Sequence, residues 1–419
     1  MTARRVCFVT TFYPPHSFGG DGISIQRIAQ GLARRGLDVT VVYDADAYTV
    51  LTGDSRRETP QPPDPTGVRV VALRSRLPLV STLLTHQVGR PVVNRRRLRA
   101  IFDDGAFDAV FFNNISLIGG PGVLAYGGNA AKIYLAHENW LVCPTHVLWR
   151  HKREPCTGRQ CIRCQLRYRR PPQLWRHTGL LDRHLDEVDV FVAFSAFSRA
   201  KHREFGFTRE MIVLPPFLPD PSDRTPAAPT ARPHERPYFL CVARLERIKG
   251  VEDAIDAFGA TASADLVIAG DGPERAALAR RAQHNPRVRF VGRVPAARLG
   301  VYYQHAIALV APSRGFETFG LTLIEAFSHR TPVLARRIGT FSEIVERSGG
   351  GILFDSPADL SDAASTLQRA PEQRAALGAA GYDAYHRYWS ESAAIPQYLD
   401  TLTRALEHHR RTRGSCTPS

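Results

Sequence analysis

No apolar run in this 419-residue sequence reaches the ~18–20 residues that a membrane-spanning helix requires. Met1-Thr-Ala-Arg-Arg5 leads straight into the apolar run Val6–Val9. That run is too short for the hydrophobic region of a secretory signal and lacks its cleavage site. The expectation is a cytoplasmic protein, with the inner membrane face as its one candidate peripheral location. The seven cysteines are an odd number, which argues against a secreted disulfide framework. No G-x-G-x-x-G is present, so the dinucleotide fingerprint is missing. Asp44-Ala-Asp46 has the form of a metal-binding acidic pair, but no second acidic cluster accompanies it, and acidic residues are common at strand ends. Lysine is scarce: nearly all of the 55 Lys+Arg are arginine.

What is present fits two domains. Length alone favours two over one, and 43% hydrophobic residues supply a sizeable core. The net charge is +15, a balance that suits phosphorylated substrates, an anionic membrane surface or nucleic acid. Short apolar runs alternate with helical periodicity along the whole chain. Val6–Thr11, Val39–Tyr43, Val68–Leu73, Phe107–Asn113, Ala131–Ala136, Val190–Phe194 and Met211–Pro215 read as strands of a first α/β domain over residues 1–215. Pro215–Pro237 is rich in proline and poor in apolar residues, so 216–237 reads as a linker. Strands resume at Tyr238–Ala243 and continue to Ile352–Phe354, which places a second α/β domain at 238–385. A C-terminal helix spans 386–408 and a tail 409–419. Leu77–Phe102 carries helical spacing, a break near Gly89-Arg90-Pro91 and the basic run Arg95-Arg-Arg97 with Arg99. Two readings stand for it, a membrane-surface element and a solvated basic face.

The stretch with the most chemistry is Ala311-Pro-Ser-Arg-Gly-Phe-Glu-Thr-Phe-Gly-Leu-Thr-Leu-Ile-Glu-Ala326. It passes from a buried strand through a glycine-containing loop into a helix near Phe319-Gly320. Strand–loop–helix crests of parallel sheets are where nucleotides bind, and a helix N-terminus offers free N–H groups to a phosphate. Glu317 in the loop and Glu325 on the helix are placed to receive sugar and ribose hydroxyls. Two solvated glutamates in salt bridges would fit the same spacing. Upstream, Arg244 and Lys249 lie at the crest of the domain's first strand–helix unit, where two cations read either as a diphosphate clamp on the wall of the pocket opposite Glu317 and Glu325 or as solvated surface charges. In the first domain, Gly19-Gly20 allows close approach of a ligand to the backbone. His137 follows a parallel strand at its C-terminal end, where it is placed either to meet ligand or to pack as a structural histidine.

A cysteine cluster interrupts the first domain within residues 141–180: Cys143-x12-Cys156-x4-Cys161-x2-Cys164. The surrounding segment is rich in Arg and Pro and poor in aliphatics, so a metal staple makes physical sense. Four thiolates would give a tetrahedral structural zinc. Free thiols, a redox pair and an Fe–S cluster are the competing readings.

Taken together, the second half resembles the C-terminal domain of family-4 retaining glycosyltransferases. The motifs that carry the resemblance are Ala243-Arg-Leu245 with Lys249-Gly250, Gly270-Asp-Gly-Pro273, Phe290-Val-Gly292, Pro312-Ser313 and Glu317-x7-Glu325. The first half is similar through Tyr13-Pro14, Gly19-Gly20, Arg35–Thr40 and His137-Glu138. The resemblance implies the GT-B fold: two Rossmann-like, doubly wound α/β domains facing across a cleft, with the C-terminal helix packed back on the N-terminal, acceptor-binding domain. It also implies that Arg244 and Lys249 hold the donor diphosphate and that Glu317 binds the donor sugar. Phe319, Gly320 and Leu321 would meet sugar and phosphate through their amides. Glu325 would bind ribose, His137 would stand beside the reacting sugar, and Gly19, Gly20 and Gly292 would line the donor site. Two features depart from the family pattern: Glu138 stands where Asp is common, and the cysteine insert is not general.

The expected substrate is thus a nucleotide-sugar, UDP-linked before GDP-linked, with a glycan, glycolipid or small-molecule hydroxyl as acceptor and no catalytic metal. A rival on the same fold is a nucleotide-sugar epimerase. A pyridoxal-phosphate phosphorylase fits poorly because none of the few lysines has a suitable context. A basic zinc module binding nucleic acid would leave Glu317 and Glu325 unexplained. No nucleic-acid partner is expected.

Overall fold

The structure, a computed structural model, describes residues 4–413 apart from 54–63, 65, 221–231 and 260–262. The middle of the expected linker, most of the expected 51–66 loop, and Cys416 with the end of the tail therefore lie outside the described residues.

Two all-parallel sheets form the frame. The first contains β1 (Arg5–Thr10), β2 (Asp38–Asp44), β3 (Arg69–Leu73), β4 (Ala109–Asn113), β5 (Ala131–Ala136), β8 (Val190–Ala193) and β9 (Met211–Val213), in the order β3-β2-β1-β4-β5-β8-β9. A two-stranded hairpin, β6 (Trp149–Arg150) and β7 (Glu154–Pro155), belongs to the insert. The second sheet contains β10 (Tyr238–Val242), β11 (Asp265–Ala269), β12 (Val288–Gly292), β13 (Leu309–Ala311), β14 (Val333–Arg336) and β15 (Gly351–Phe354), in the order β12-β11-β10-β13-β14-β15. Helices cover both faces. Those of the first domain are α1 (Gly20–Arg34), α2 (Ala45–Thr52), α3 (Pro78–Val88), α4 (Arg95–Gly105), α5 (Cys161–Arg167), α6 (Leu180–Leu185) and α7 (Ala196–Glu204). Those of the second are α8 (Val251–Ala257), α9 (Arg275–Arg281), α10 (Ala296–His305), α11 (Leu321–Phe327), α12 (Gly339–Ser348), α13 (Pro357–Arg369) and α14 (Pro371–Ala384), and α15 (Glu391–Arg413) ends the described chain.

The strand sequences explain the layering. A parallel strand covered on both faces is apolar at nearly every position. Val6, Cys7, Phe8 and Val9 of β1, and Val110, Phe111 and Phe112 of β4, are all fully buried. In each sheet the strand order reverses at one point, between β1 and β4 and between β10 and β13. Loops that leave the C-terminal ends of such strands form the crevice where ligands bind in doubly wound sheets. The two switch points therefore set the loops after β1 and β4 opposite those after β10 and β13.

α15 returns to the first domain. Its Ala394, Ile395, Tyr398, Leu402 and Ala405 share one core with Ile25, Ile28 and Leu32 of α1. Each large side chain so buried contributes roughly 1.5–3 kcal/mol. The helix also begins and ends differently from expectation. A π-helical turn, Tyr385–Trp389, and a break at Ser390 precede it. It runs past 408 because His409 is buried and its Nδ1 lies 3.1 Å from Asp189 of the first domain, which secures the last turns.

The acidic pair after β2 has a structural task. Asp44 caps α2 by accepting from the Ala47 N–H, and Asp46 accepts from the Ser75 N–H at 2.9 Å. Burial, with Asp46 beside it, pushes the Asp44 carboxyl up to about 8. The helix α2 itself was hidden by the polar, proline-rich sequence that follows it.

Candidate active site

The crest of the second domain is built by close packing of two loops. Between β10 and α8 the chain turns through Gly250 at φ +61°, where a Cβ would stand 2.2 Å from the Pro312 carbonyl oxygen. Only glycine allows that backbone approach. The Ile248 carbonyl then accepts from the Arg314 N–H at 2.9 Å and from Ser313 Oγ at 3.2 Å. This clamps the β10 loop to the β13 loop, and it brings Lys249 Nζ to 2.6 Å from Glu317 Oε1, which also accepts from Ser313 Oγ at 2.7 Å. Lys249 and Glu317 are therefore direct neighbours on one wall of the cleft, not on opposite walls. Arg244 is half exposed and pairs with Glu246 at 3.1 Å. An incoming anion would compete with the carboxylate partners of both cations.

Glu325 stands farther along, on α11. It accepts from the Tyr303 hydroxyl at 3.0 Å and lies 3.5 Å from Arg27 of α1, across the cleft. Burial, with Glu325 alongside, holds the Tyr303 phenol well above its ordinary range. Phe319 is half-buried and packs against the cores of both domains. Gly320 is the N-cap of α11 and Leu321 its first residue. Gly292 closes the edge strand β12, and its carbonyl accepts from the Gly270 N–H at 2.8 Å.

From the first domain, the loop after β5 brings His137 to the cleft. Its ring meets Phe194 edge-on at 3.9 Å between centroids, and both ring nitrogens are buried without a hydrogen-bond partner among the described residues. Burial holds its pKa well below 6.5, so the imidazole is neutral at physiological pH and keeps a donor and an acceptor for a ligand. Glu138 faces away, to His146 Nδ1 at 2.6 Å. Gly19 has open space around it, whereas a Cβ on Gly20 would stand 2.7 Å from Leu321 Cδ1. Close approach at Gly20 thus serves the contact between domains.

Several residues of the cleft carried no readable signal in the sequence. Thr318 Oγ1 donates to the His137 carbonyl at 2.6 Å. Ser195 Oγ donates to the Thr318 carbonyl at 3.0 Å and pairs with Thr340 Oγ1 at 2.9 Å. Both carboxylate oxygens of Glu343 cap α7 from the other domain, accepting from the Ala196 and Phe197 N–H groups at 3.0 and 2.9 Å. Arg27 is the partner of Glu325. Each of these acts through a partner more than a hundred residues away in the chain.

The four cysteines of the insert line one small cavity, together with Thr145, Trp149 and Gln160. Yet no group of three or more His, Cys, Asp or Glu among the described residues is arranged to hold a metal ion. Cys143 Sγ lies 3.3 Å from Thr145 Oγ1, Cys156 Sγ donates to the Gly158 carbonyl at 3.3 Å, and Cys164 Sγ accepts from the His151 N–H at 3.4 Å. Burial raises the Cys156 and Cys161 thiols above 9.0, and neighbouring cysteines add to the shift. This arrangement does not show the four-thiolate zinc that the cysteine spacing led us to expect, since three of the thiols turn to separate partners. The insert is held instead by the β6–β7 hairpin, by Tyr168 Oη donating to the Trp149 carbonyl, and by Arg176. Arg176 lies over Trp140 and Trp175 at 4.8 and 4.9 Å from the ring centroids and donates to the Trp140 carbonyl.

Comparison with known proteins bears on both domains. Residues 18–219 match the model described as "Glycosyltransferase Family 4" and residues 224–384 the model described as "Glycosyl transferases group 1". Over 247 residues the chain is 29% identical to a GDP-mannose-dependent alpha-(1-6)-phosphatidylinositol monomannoside mannosyltransferase of Mycobacterium tuberculosis. That match covers 54% of this chain and 64% of the relative. Among solved structures, sucrose-phosphate synthase of Thermosynechococcus elongatus superposes with a TM-score of 0.72 at 19% identity, over 96% of this chain and 99% of the other. Anabaena Alr3699/HepE in complex with UDP-glucose superposes with a TM-score of 0.65 at 16% identity, over 95% and 99%.

Proposed function

We propose that this chain, which matches a family 4 glycosyltransferase model before a group 1 glycosyltransferase model, is a two-domain glycosyltransferase that moves a sugar from a nucleoside-diphosphate sugar to a hydroxyl acceptor with retention at the anomeric carbon. The observation that carries this reading is the Lys249–Glu317 contact of 2.6 Å, held by the two switch-point loops, with the adjacent Thr318 hydrogen-bonded to the His137 carbonyl of the other domain.

Each residue then has a task. Arg244 and Lys249 leave their carboxylates for the donor diphosphate and neutralise the charge that grows on it as the glycosidic bond breaks. Such preorganised cations supply several kcal/mol of transition-state stabilisation. Glu317, released by Lys249, receives sugar hydroxyls, and Glu325 receives the ribose. Phe319, Gly320, Leu321, Gly292, Gly19 and Gly20 line the donor. Neutral His137 donates a hydrogen bond to the sugar. The acceptor oxygen attacks the anomeric carbon on the face that the diphosphate leaves, and the acceptor proton passes to the departing phosphate oxygen. No protein nucleophile takes part. UDP-sugars and GDP-sugars are both candidate donors; the Mycobacterium tuberculosis relative is GDP-mannose-dependent.

Incubation of the purified chain with UDP-glucose, without acceptor and with EDTA, tests the reaction class. Slow release of UDP and α-configured glucose in the first proton NMR spectra is expected. β-Glucose as the first product would contradict retention, and an epimerised sugar in place of glucose would favour the epimerase reading.

A further inference from the structure

α3 is turned inside out. Its buried residues are Ser81, Thr82 and Thr85, while Leu79, Val80, Leu83, Leu84 and Val88 point outward. Ser81 even finds a polar partner inside, accepting from Asn94 Nδ2 at 3.3 Å. With Leu77, Val92 and Val93, the outward residues are 37–64% exposed. Isolated exposed aliphatics are ordinary, whereas a contiguous patch marks an interaction surface. Of the fifteen large hydrophobic residues exposed among the described ones, eight lie in this stretch and only Val291 lies in the second domain.

The insert continues the patch. The Trp175 indole N–H donates to the His86 carbonyl of α3 at 2.9 Å, and Gly89 packs against the same indole. The Gln173 N–H donates to Gln165 Oε1 on α5 at 3.0 Å. Along this continuous bridge Leu174, Leu166 and Ile162 are exposed by 65, 59 and 47%. Within the two sequence segments that carry these residues, the charge has one sign. Residues 66–102 contain eight arginines and no Asp or Glu, and residues 155–181 contain six arginines and no Asp or Glu. Arg76, Arg90, Arg95, Arg96, Arg97 and Arg99 are exposed beside α3, and Arg163, Arg167, Arg169 and Arg170 beside the insert leucines.

We propose that the outward face of α3 and the cysteine-bearing insert together form a docking surface for an anionic lipid bilayer. Leucines flanked by arginines, without a carboxylate in either segment, match the acyl boundary and the headgroup layer of such a membrane. A nucleic acid would use the arginines but leave the leucines in water. A soluble protein partner would leave the absence of acidic residues in both segments unaccounted for. The face also lies on the acceptor side. α3 begins beyond the C-terminal end of β3, the end of the parallel sheet that meets the cleft. Docking there would present headgroups to the half of the cleft opposite the donor. This consequence rests on the glycosyl-transfer reading, whereas the docking itself does not.

Flotation of the full chain with vesicles of phosphatidylcholine, alone or with phosphatidylglycerol, tests the proposal. Wild type should bind the anionic vesicles at least about tenfold more than the neutral ones, and high salt should weaken that binding. The pair Leu79→Glu/Leu83→Glu and, separately, Leu166→Glu/Leu174→Glu should each reduce it about tenfold, with the thermal midpoint unchanged. Absence of anionic-vesicle binding by wild type would overturn the proposal, as would equal binding by both double variants. So would tight binding to single-stranded RNA that the leucine variants leave intact while vesicles are ignored. Loss of UDP-sugar hydrolysis with vesicle binding retained would refute the enzymatic reading alone.

Discussion

Lys249→Ala and Glu317→Ala are each expected to lower the rate of sugar transfer by a factor of about 10²–10³, the cost of removing one preorganised group from a charge-stabilising site. Neither change should harm the fold. The two side chains are about a quarter exposed, and pairs of that kind contribute about 0–1 kcal/mol to stability. Their combination should be less than multiplicative in rate, because the 2.6 Å contact makes each residue a positioning partner of the other. The decisive comparison is kcat/KM for the two single variants and the double variant, with thermal midpoints measured in parallel. Activity within a few fold of wild type in both single variants would remove these residues from the site.

Gly250→Ala is expected to have the largest effect on stability, about 2–5 kcal/mol. A Cβ at this left-handed position costs ~1–2 kcal/mol, and its overlap with the Pro312 carbonyl, 2.2 Å away, adds about 1–3 kcal/mol of backbone adjustment. Because the same contact holds the β10 and β13 loops together, activity should fall further than lost folded protein explains. Denaturant midpoints against kcat on the folded fraction separate the two effects. A midpoint unchanged from wild type would show that the loops are not clamped at this point.

The sequence disclosed the loop positions of the second-domain crest far better than the contacts between the two domains, for a physical reason. Arg244, Lys249 and Glu317 lie between strand and helix, and Glu325 on the helix α11, each after a strand whose apolar run is unmistakable, so their positions at a crest followed once β10 and β13 were recognised. The strand order that makes both loops neighbours is a matter of tertiary pairing, and spacing along the chain does not encode it. Hence Lys249 and Glu317 were placed on opposite walls when they touch. Glu343 and Thr318 were invisible because their partners are backbone groups of the other domain, and backbone groups leave no trace in composition. The cysteine cluster was legible as a cluster but not as a metal site. Its spacing suggested metal ligands, and the cysteines do gather around one cavity, but their thiols turn to separate partners. α3 shows why amphipathic pattern alone left two readings open. Periodicity marks a helix with an apolar stripe, and only the packed structure shows that the stripe faces outward.

The central claim is that the crest of the second domain binds a nucleoside-diphosphate sugar. Calorimetric titration of the wild-type chain with UDP-glucose, GDP-mannose and ADP-glucose, in EDTA, tests it most directly. Saturable binding of at least one donor at one site per chain is expected, weakened at least about tenfold, or about 1.4 kcal/mol, by Lys249→Ala. Binding of none of the three, or binding that Lys249→Ala leaves unchanged, would contradict the account.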